Sequence, residues 1–132
     1  VVDDREIRRG ELSYTIDTVG QFRAENPDAE IVFIIGSDSL ATIRQWHQPE
    51  ELLRIAIPAV VQRGGQPEIE FTVLDGLVDP QRIELFRQHV IAMPVIELSS
   101  SELRSRLARN RSIRYRTPRA VEALINSHQL YR

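Results

Sequence analysis

The chain has 132 residues, 42% of them apolar, and a formal net charge of −2. That composition supports a single core and excludes a disordered chain, while no run of about 18 apolar residues is present to span a membrane as a helix. Cysteine is absent, which excludes disulfides and thiolate metal sites and suits a reducing, cytoplasmic setting.

The charge is unevenly spread. All seventeen basic residues are arginine, and Arg104, Arg106, Arg109, Arg111, Arg114, Arg116 and Arg119 fall in a stretch without an acid. Such a cluster serves nucleic acid, a membrane surface or a polyphosphate, or is simply a solvated face. The chain begins at Val1, not Met, and opens on Asp3, Asp4, Arg5 and Glu6, unlike a signal peptide. It reads as a processed chain or a fragment.

In chain order, residues 13–26 predict a helix with Ile16, Val19 and Phe22 on one face, ended by Pro27. The run Ile31-Val32-Phe33-Ile34-Ile35 predicts a strand buried on both sides, closed by Gly36. Residues 39–46 predict a helix or helical turn, and Pro49-Glu50-Glu51 begins another helix. Ala59-Val60-Val61 predicts a second buried strand, followed by the loop Arg63-Gly64-Gly65-Gln66-Pro67. Alternation of Ile69, Phe71 and Val73 predicts a half-exposed or edge strand. Asp79-Pro80 caps a helix carrying Ile83, Phe86 and Val90. Residues 95–98 predict a short strand with Pro94 before it, Ser99 starts the next helix, and Thr117-Pro118 the last, with Val121, Leu124, Ile125 and His128 on one face. Strands alternating with helices predict an α/β fold, a parallel sheet with helices on both faces and ligands beyond the carboxyl ends of the strands.

Gly36-Ser37-Asp38 and Ser99-Ser100-Ser101 are both expected at such strand ends. Ser99 and Glu102 fit a capping box. Three serine hydroxyls beside free backbone N–H groups also suit an anion, and Arg104, one turn on, can reach back to it. Gly36 permits close approach of a ligand, and Asp38 can accept hydrogen bonds from ribose hydroxyls. Trp46, the single tryptophan, is either a core residue or a stacking platform. Ser13-Tyr14-Thr15 either caps a helix or receives a carboxylate or phosphate at its start. His89 and His128 read as structural. The sequence has no metal-ligand spacing, no P-loop and no nucleophile elbow.

Ser13-Tyr14-Thr15-Ile16-Asp17-Thr18, then Phe33-Ile34-Ile35-Gly36-Ser37-Asp38-Ser39-Leu40, then Trp46, resemble the middle of bacterial nicotinate mononucleotide adenylyltransferases. Leu98-Ser99-Ser100-Ser101-Glu102-Leu103-Arg104 is similar to that family's I-S-S-T-x-I-R motif. Ser112-Ile113-Arg114-Tyr115, Pro118, Val121 and Leu130-Tyr131 resemble its C-terminal signature. The likeness runs through almost the whole chain, with residues 66–88 nondescript.

The resemblance implies a Rossmann-like nucleotidyltransferase fold, here without its first strand and helix, as a single N-terminally incomplete domain over residues 1–132. It implies adenylyl transfer from ATP to nicotinate mononucleotide, giving deamido-NAD and pyrophosphate, with Mg²⁺ carried on the ATP phosphates and no metal held by protein side chains. Ser99, Ser100, Ser101 and Arg104 would hold the ATP phosphates, with Arg104 also stabilising charge during catalysis. Gly36 and Asp38 would contact the nucleotide backbone and ribose. Trp46 would stack on the pyridine ring, Thr15 and the Trp46-His47 backbone would receive the nicotinate carboxylate, and Arg63 would help with substrate phosphate. The implied protein is cytoplasmic, binds neither nucleic acid nor membrane, and leaves a homo-oligomer open.

The sequence departs from the family at three places. Ser101 stands where threonine is usual, Arg116-Thr117 replaces apolar residues, and the G-x-F-D-P-x-H-x-G-H region is absent. Without those histidines the 132 residues alone are expected to be nearly inactive. The alternatives are a nicotinamide mononucleotide adenylyltransferase of the same superfamily, or a non-catalytic nucleotide-binding or degenerate module. Nucleic-acid binding is disfavoured because aromatics are not interleaved with the arginines.

Overall fold

The computed structural model describes residues 2–65, 67–95 and 98–131. The chain divides into two compact units, residues 1–95 and 96–132.

The first unit is built on a parallel sheet in the order β1-β2-β3. β1 is Val32–Gly36, β2 is Ile57–Arg63 and β3 is Val90–Met93. Ile35 lies opposite Val60, and Val60 opposite Val90. The central strand carries a proline, Pro58, which donates no hydrogen bond. Alternate residues of β2 donate to opposite neighbours: Ile57 N–H to the Ile31 carbonyl at 2.8 Å, and Val60 N–H to the His89 carbonyl at 3.0 Å. The missing donor of Pro58 therefore falls on the β3 side, and β3 begins only opposite Val60. The proline costs the sheet no hydrogen bond.

β2 is buried on both faces, with Ile57 and Ala59 on one and Pro58 and Val60 on the other. The same expectation for β1 is overturned. Ile35 is buried, but Val32 is 44% and Ile34 73% exposed. Among the described residues β1 is an edge strand, and its second face carries the exposed Val32 and Ile34.

Helices α1 (Arg5–Arg9), α2 (Thr15–Glu25), α3 (Ser37–Ala41), α4 (Pro49–Ile55) and α5 (Pro80–Arg87) complete this unit, with short 3-10 turns at Ile43–Gln45 and Phe71–Leu74. Pro49 and Pro80 each occupy the first turn, and Asp79 accepts the Arg82 N–H at 2.9 Å, the cap its position predicts. Leu40, Ile43, Leu53, Leu74 and Phe86 form the main cluster with β1 and β2. Ile16, Val19, Leu52 and Ala56 join α2 to α4.

Two predicted elements are different in the structure. The expected strand at Ile69, Phe71 and Val73 is a 3-10 turn, because Phe71 and Leu74, three apart, both bury into the main cluster. Val90 lies not on the helix with Ile83 and Phe86 but in β3. The helix ends at Arg87, where His89 N–H bonds the Phe86 carbonyl at 3.0 Å and His89 Nδ1 contacts the Leu85 carbonyl at 2.8 Å.

Helix α1 buries no side chain and clasps α2 through polar groups. Arg5 pairs with Asp3 at 2.8 Å and Glu25 at 3.0 Å, and Thr18 donates to Glu6 at 2.5 Å. Hydrogen bonds from Arg5 lower the Asp3 carboxyl from its ordinary 3.8 to about 2. A depressed folded value means that the contact's contribution is present above the ordinary value and fades as pH falls through about 2. A carbon-detected NMR titration is expected to place the Asp3 midpoint near 2 and to return it toward 3.8 in Arg5→Ala. A midpoint near the ordinary value in the wild type contradicts the Arg5–Asp3 pair.

In the second unit, α6 (Ser100–Ala108) and α7 (Arg119–Ser127) enclose Leu107, Ile113 and Ile125, with Leu103 packed against them. Of the face expected on the last helix only Ile125 is buried; Val121, Leu124 and His128 are exposed. The strand expected over residues 95–98 lies partly outside the described residues, and Val95 and Leu98 are not in strand. Among the described residues no helix is long and apolar enough to cross a membrane.

Candidate functional site

The residues singled out by sequence divide between the units. Thr15, Gly36, Asp38, Trp46, His47 and Arg63 belong to the first, and Ser99, Ser100, Ser101 and Arg104 to the second.

β1 ends in Gly36 and passes directly into α3, which places Ser37 and Asp38 at a carboxyl end of the sheet. A cavity of about 600 Å³ opens there, lined by Ser37, Asp38, Leu40, Ala41 and the segment from Pro67 to Val73. Among the described residues its acids are Asp38, Glu68 and Glu70, and no arginine lines it. Such a wall repels a polyphosphate and accepts hydrogen bonds from sugar hydroxyls. The Pro67–Val73 wall has no sequence motif, and the predicted edge strand hid it. It is held by Arg44, whose Nε donates to the Val73 carbonyl at 2.8 Å and whose Nη2 bonds the Asp75 carbonyl.

Gly36 is closely approached by a neighbouring side chain. A Cβ on it would collide with the Asp38 carboxylate, which folds back over the glycine. That carboxylate is the end of a flexible side chain, so Gly36→Ala should displace Asp38 without unfolding the unit. We expect a stability change below about 1 kcal/mol by urea unfolding and a roughly tenfold weaker affinity for a ribonucleotide by calorimetry, equivalent to one hydrogen bond to a charged group. Unchanged affinity would remove Asp38 from the site.

Arg63 lies exposed at the carboxyl end of β2. The Gly64 N–H after it bonds the Met93 carbonyl at 2.9 Å, and a Cβ on Gly64 would press on Val95. Trp46 is partly buried and packs against both core clusters of the unit. Its neighbour His47 is exposed and stacks on Tyr14, with ring centroids 4.2 Å apart. The structure thus joins the Ser13-Tyr14-Thr15 segment to Trp46-His47 through Tyr14. Thr15 is the first residue of α2, whose start is braced by Asp17: its carboxylate accepts the Tyr14 N–H at 3.3 Å. Neither Ser13 nor Thr15 caps this helix; its cap position is Tyr14.

In the second unit Ser99 caps α6, its Oγ accepting the Glu102 N–H at 3.3 Å. The expected capping box is only half formed. The Glu102 carboxylate turns to Arg116 at 3.0 Å instead of returning to Ser99. Arg116 thereby draws a negative charge away from the helix start. Arg104 reaches back as expected, its Nη2 donating to Ser101 Oγ at 3.2 Å. With Ser100 and Ser101 exposed in the first turn, this start is polar, electropositive and open, the arrangement that receives phosphate oxygens.

The parallel sheet with its helices has the Rossmann-like α/β fold of a solved nucleotidyltransferase. Plasmodium falciparum nicotinic acid mononucleotide adenylyltransferase, solved with APC, superposes at a TM-score of 0.62 and 20% identity, covering 92% of this chain and 59% of that one. The same likeness holds for its complex with NaAD.

A probable nicotinate-nucleotide adenylyltransferase of Rhodopirellula baltica is 43% identical over 132 residues, covering 100% of this chain and 62% of that protein. Proteins of the same name from Herpetosiphon aurantiacus and Salinibacter ruber are 40% and 36% identical, each over 96% of this chain and 62% and 60% of their own lengths. The chain is a homologue of bacterial nicotinate-nucleotide adenylyltransferases along its length, and spans about three fifths of these relatives. No protein-family model matches it.

Proposed function

We propose that the protein carrying this chain transfers the adenylyl group of ATP to nicotinate mononucleotide, releasing pyrophosphate and forming deamido-NAD. The observation that carries this reading is the 43% identity to a named nicotinate-nucleotide adenylyltransferase over all 132 residues. The two polar environments support it: an acid-lined cavity suited to sugar hydroxyls, and an electropositive helix start suited to phosphates.

An oxygen of the mononucleotide phosphate attacks the α-phosphorus of ATP. The bond from that phosphorus to the bridging oxygen breaks, and pyrophosphate leaves with the electron pair. Such a transfer needs positioning and positive charge more than covalent help. Ser99, Ser100, Ser101 and Arg104 are assigned to the ATP phosphates, Arg104 as the charge-stabilising catalytic residue. Gly36 and Asp38 are assigned to nucleotide backbone and ribose. Trp46 is assigned to the pyridine ring, Thr15 and the backbone at Trp46-His47 to its carboxylate, and Arg63 to the mononucleotide phosphate.

Mg²⁺ would be carried by the ATP phosphates and neutralise charge there. Ser99, Ser100 and Ser101 at the start of α6 offer hydroxyls beside the phosphates that would carry it. We read residues 1–132 as part of one adenylyltransferase domain of a cytoplasmic protein that binds neither nucleic acid nor membrane, self-association being open.

The test is kcat/KM for nicotinate and nicotinamide mononucleotide on the protein as encoded, with the dinucleotide product identified by mass. Preference for the nicotinate form is expected. Preference for the amide removes the roles given to Thr15 and Trp46-His47, and turnover of neither makes the protein a nucleotide-binding module.

A further inference from the structure

Two rings meet at the start of α2. The Tyr14 phenol lies over the His47 imidazole with centroids 4.2 Å apart and planes 27° from parallel, an attractive stacked arrangement. Tyr14 is fixed from behind. Its N–H donates to Asp17 Oδ2 at 3.3 Å, its carbonyl accepts the Asp17 N–H at 3.1 Å, and the same carboxylate oxygen lies 3.8 Å from Arg9 Nη1.

His47 is held less well by its own chain. It belongs to no helix or strand. Trp46 before it is anchored in the core, and Gln48 after it takes the left-handed conformation with φ 49°. Among the described residues its other side-chain contact is with the Gln48 amide, Nε2 to Nε2 at 3.3 Å. The face of Tyr14 lies against its ring.

Tyr14 does not hold up the fold. It is 40% exposed and belongs to neither core cluster of its unit. A stacked, braced aromatic outside the core calls for another role.

We propose that Tyr14 is a positioning and specificity residue for the carboxylated base. By stacking on His47 it fixes the His47 backbone N–H as a donor for the nicotinate carboxylate. This rests on the proposed function and adds a residue that it does not use. A fixed N–H donor accepts a carboxylate in either of its two equivalent oxygens. It meets a carboxamide favourably in one orientation only, with an N–H facing it in the other. If His47 moves freely, it can retreat from the amide, and discrimination falls.

Tyr14→Ala and Tyr14→Phe, made in the protein as encoded, test this. In Tyr14→Ala the KM for nicotinate mononucleotide is expected to rise about tenfold, and the nicotinate-to-nicotinamide ratio of kcat/KM to fall by a similar factor. The KM for ATP should stay within about twofold. Tyr14→Phe keeps the ring stack and should restore the ratio. A purely structural role would lower turnover of both mononucleotides alike. An unchanged ratio in Tyr14→Ala overturns the proposal, as does a Tyr14→Phe protein as impaired as the alanine variant. Failure of the underlying reading is seen separately: a wild type that turns over neither mononucleotide removes the reaction, and this role with it, before any variant is compared.

Discussion

Arg104→Ala is expected to lower kcat/KM for adenylyl transfer by about 10²–10³, the usual loss when one preorganised charge stabiliser is removed. The guanidinium is exposed, and its described partner is one neutral hydroxyl, Ser101 Oγ at 3.2 Å. Among the described residues no carboxylate pairs with it. Its remaining N–H donors are free for phosphate oxygens, and Ser101 holds the fork over the first turn of α6. Arg104→Lys keeps the charge but loses the planar fork, so it should recover only part of the rate. Exposure also sets the control: stability should change by no more than about 0.5 kcal/mol, so lost activity is not lost fold. Steady-state kinetics on the protein as encoded, with urea unfolding of the same samples, separate the two. A rate within about threefold of wild type would remove Arg104 from the catalytic role given to it.

The contrast between Arg104 and Arg116 shows how much of the site was legible in sequence. Ser99, Glu102 and Arg104 are three and two residues apart, so a helix start with an arginine one turn on follows from local geometry. That Glu102 would turn to Arg116 does not, because the partner lies beyond the helix and depends on how α6 and the segment before α7 fold together. Asp38 was legible for a similar reason: it stands three residues past a run of β-branched and aromatic residues that Gly36 closes. The opposite cavity wall was not. Phe71 and Val73 alternate as in a strand, but Phe71 and Leu74 find burial at a spacing of three, and tertiary packing overrode the pattern.

Elements bounded by local chemistry were read well: Pro49 and Asp79-Pro80 begin helices where they should. Elements fixed by their neighbours were not. The run at Ile31–Ile35 carries no sign that its strand would lie at an edge, with Ile34 exposed. Val90 continues the helical spacing of Ile83 and Phe86, yet the turn at Gln88-His89 returns it to the sheet beside Val60. Tyr14 stood in a motif with two plausible hydroxyl residues, and only the folded chain brings His47 against its ring.

The largest effect on stability is expected at Phe86. It is 0% exposed, and it joins α5 to the cluster containing Ile35, Leu40, Leu53 and Leu74. Arg82, one turn earlier, lies over its ring at 5.3 Å and bonds the Leu53 carbonyl and, at 3.2 Å, that of Ala56. Phe86→Ala leaves a cavity that these strands and helices cannot close, at a cost of about 3–5 kcal/mol. Domains of this size have only about 5–15 kcal/mol in hand, so the variant should lose a large share of its stability. Phe86→Leu, which refills most of the space, should cost less than about 1.5 kcal/mol. The single tryptophan supplies the readout, because Trp46 packs against this same cluster and its fluorescence follows unfolding in urea. A loss below about 1 kcal/mol in Phe86→Ala would mean that the cluster is not the core of the unit. The consequence reaches function. Leu40, in the helix that carries Asp38, belongs to the same cluster, and Ile69 and Val73, at the opposite wall of the cavity, pack against it. Loosening Phe86 should therefore weaken ribonucleotide binding at denaturant concentrations below the main unfolding transition, although Phe86 does not line the cavity.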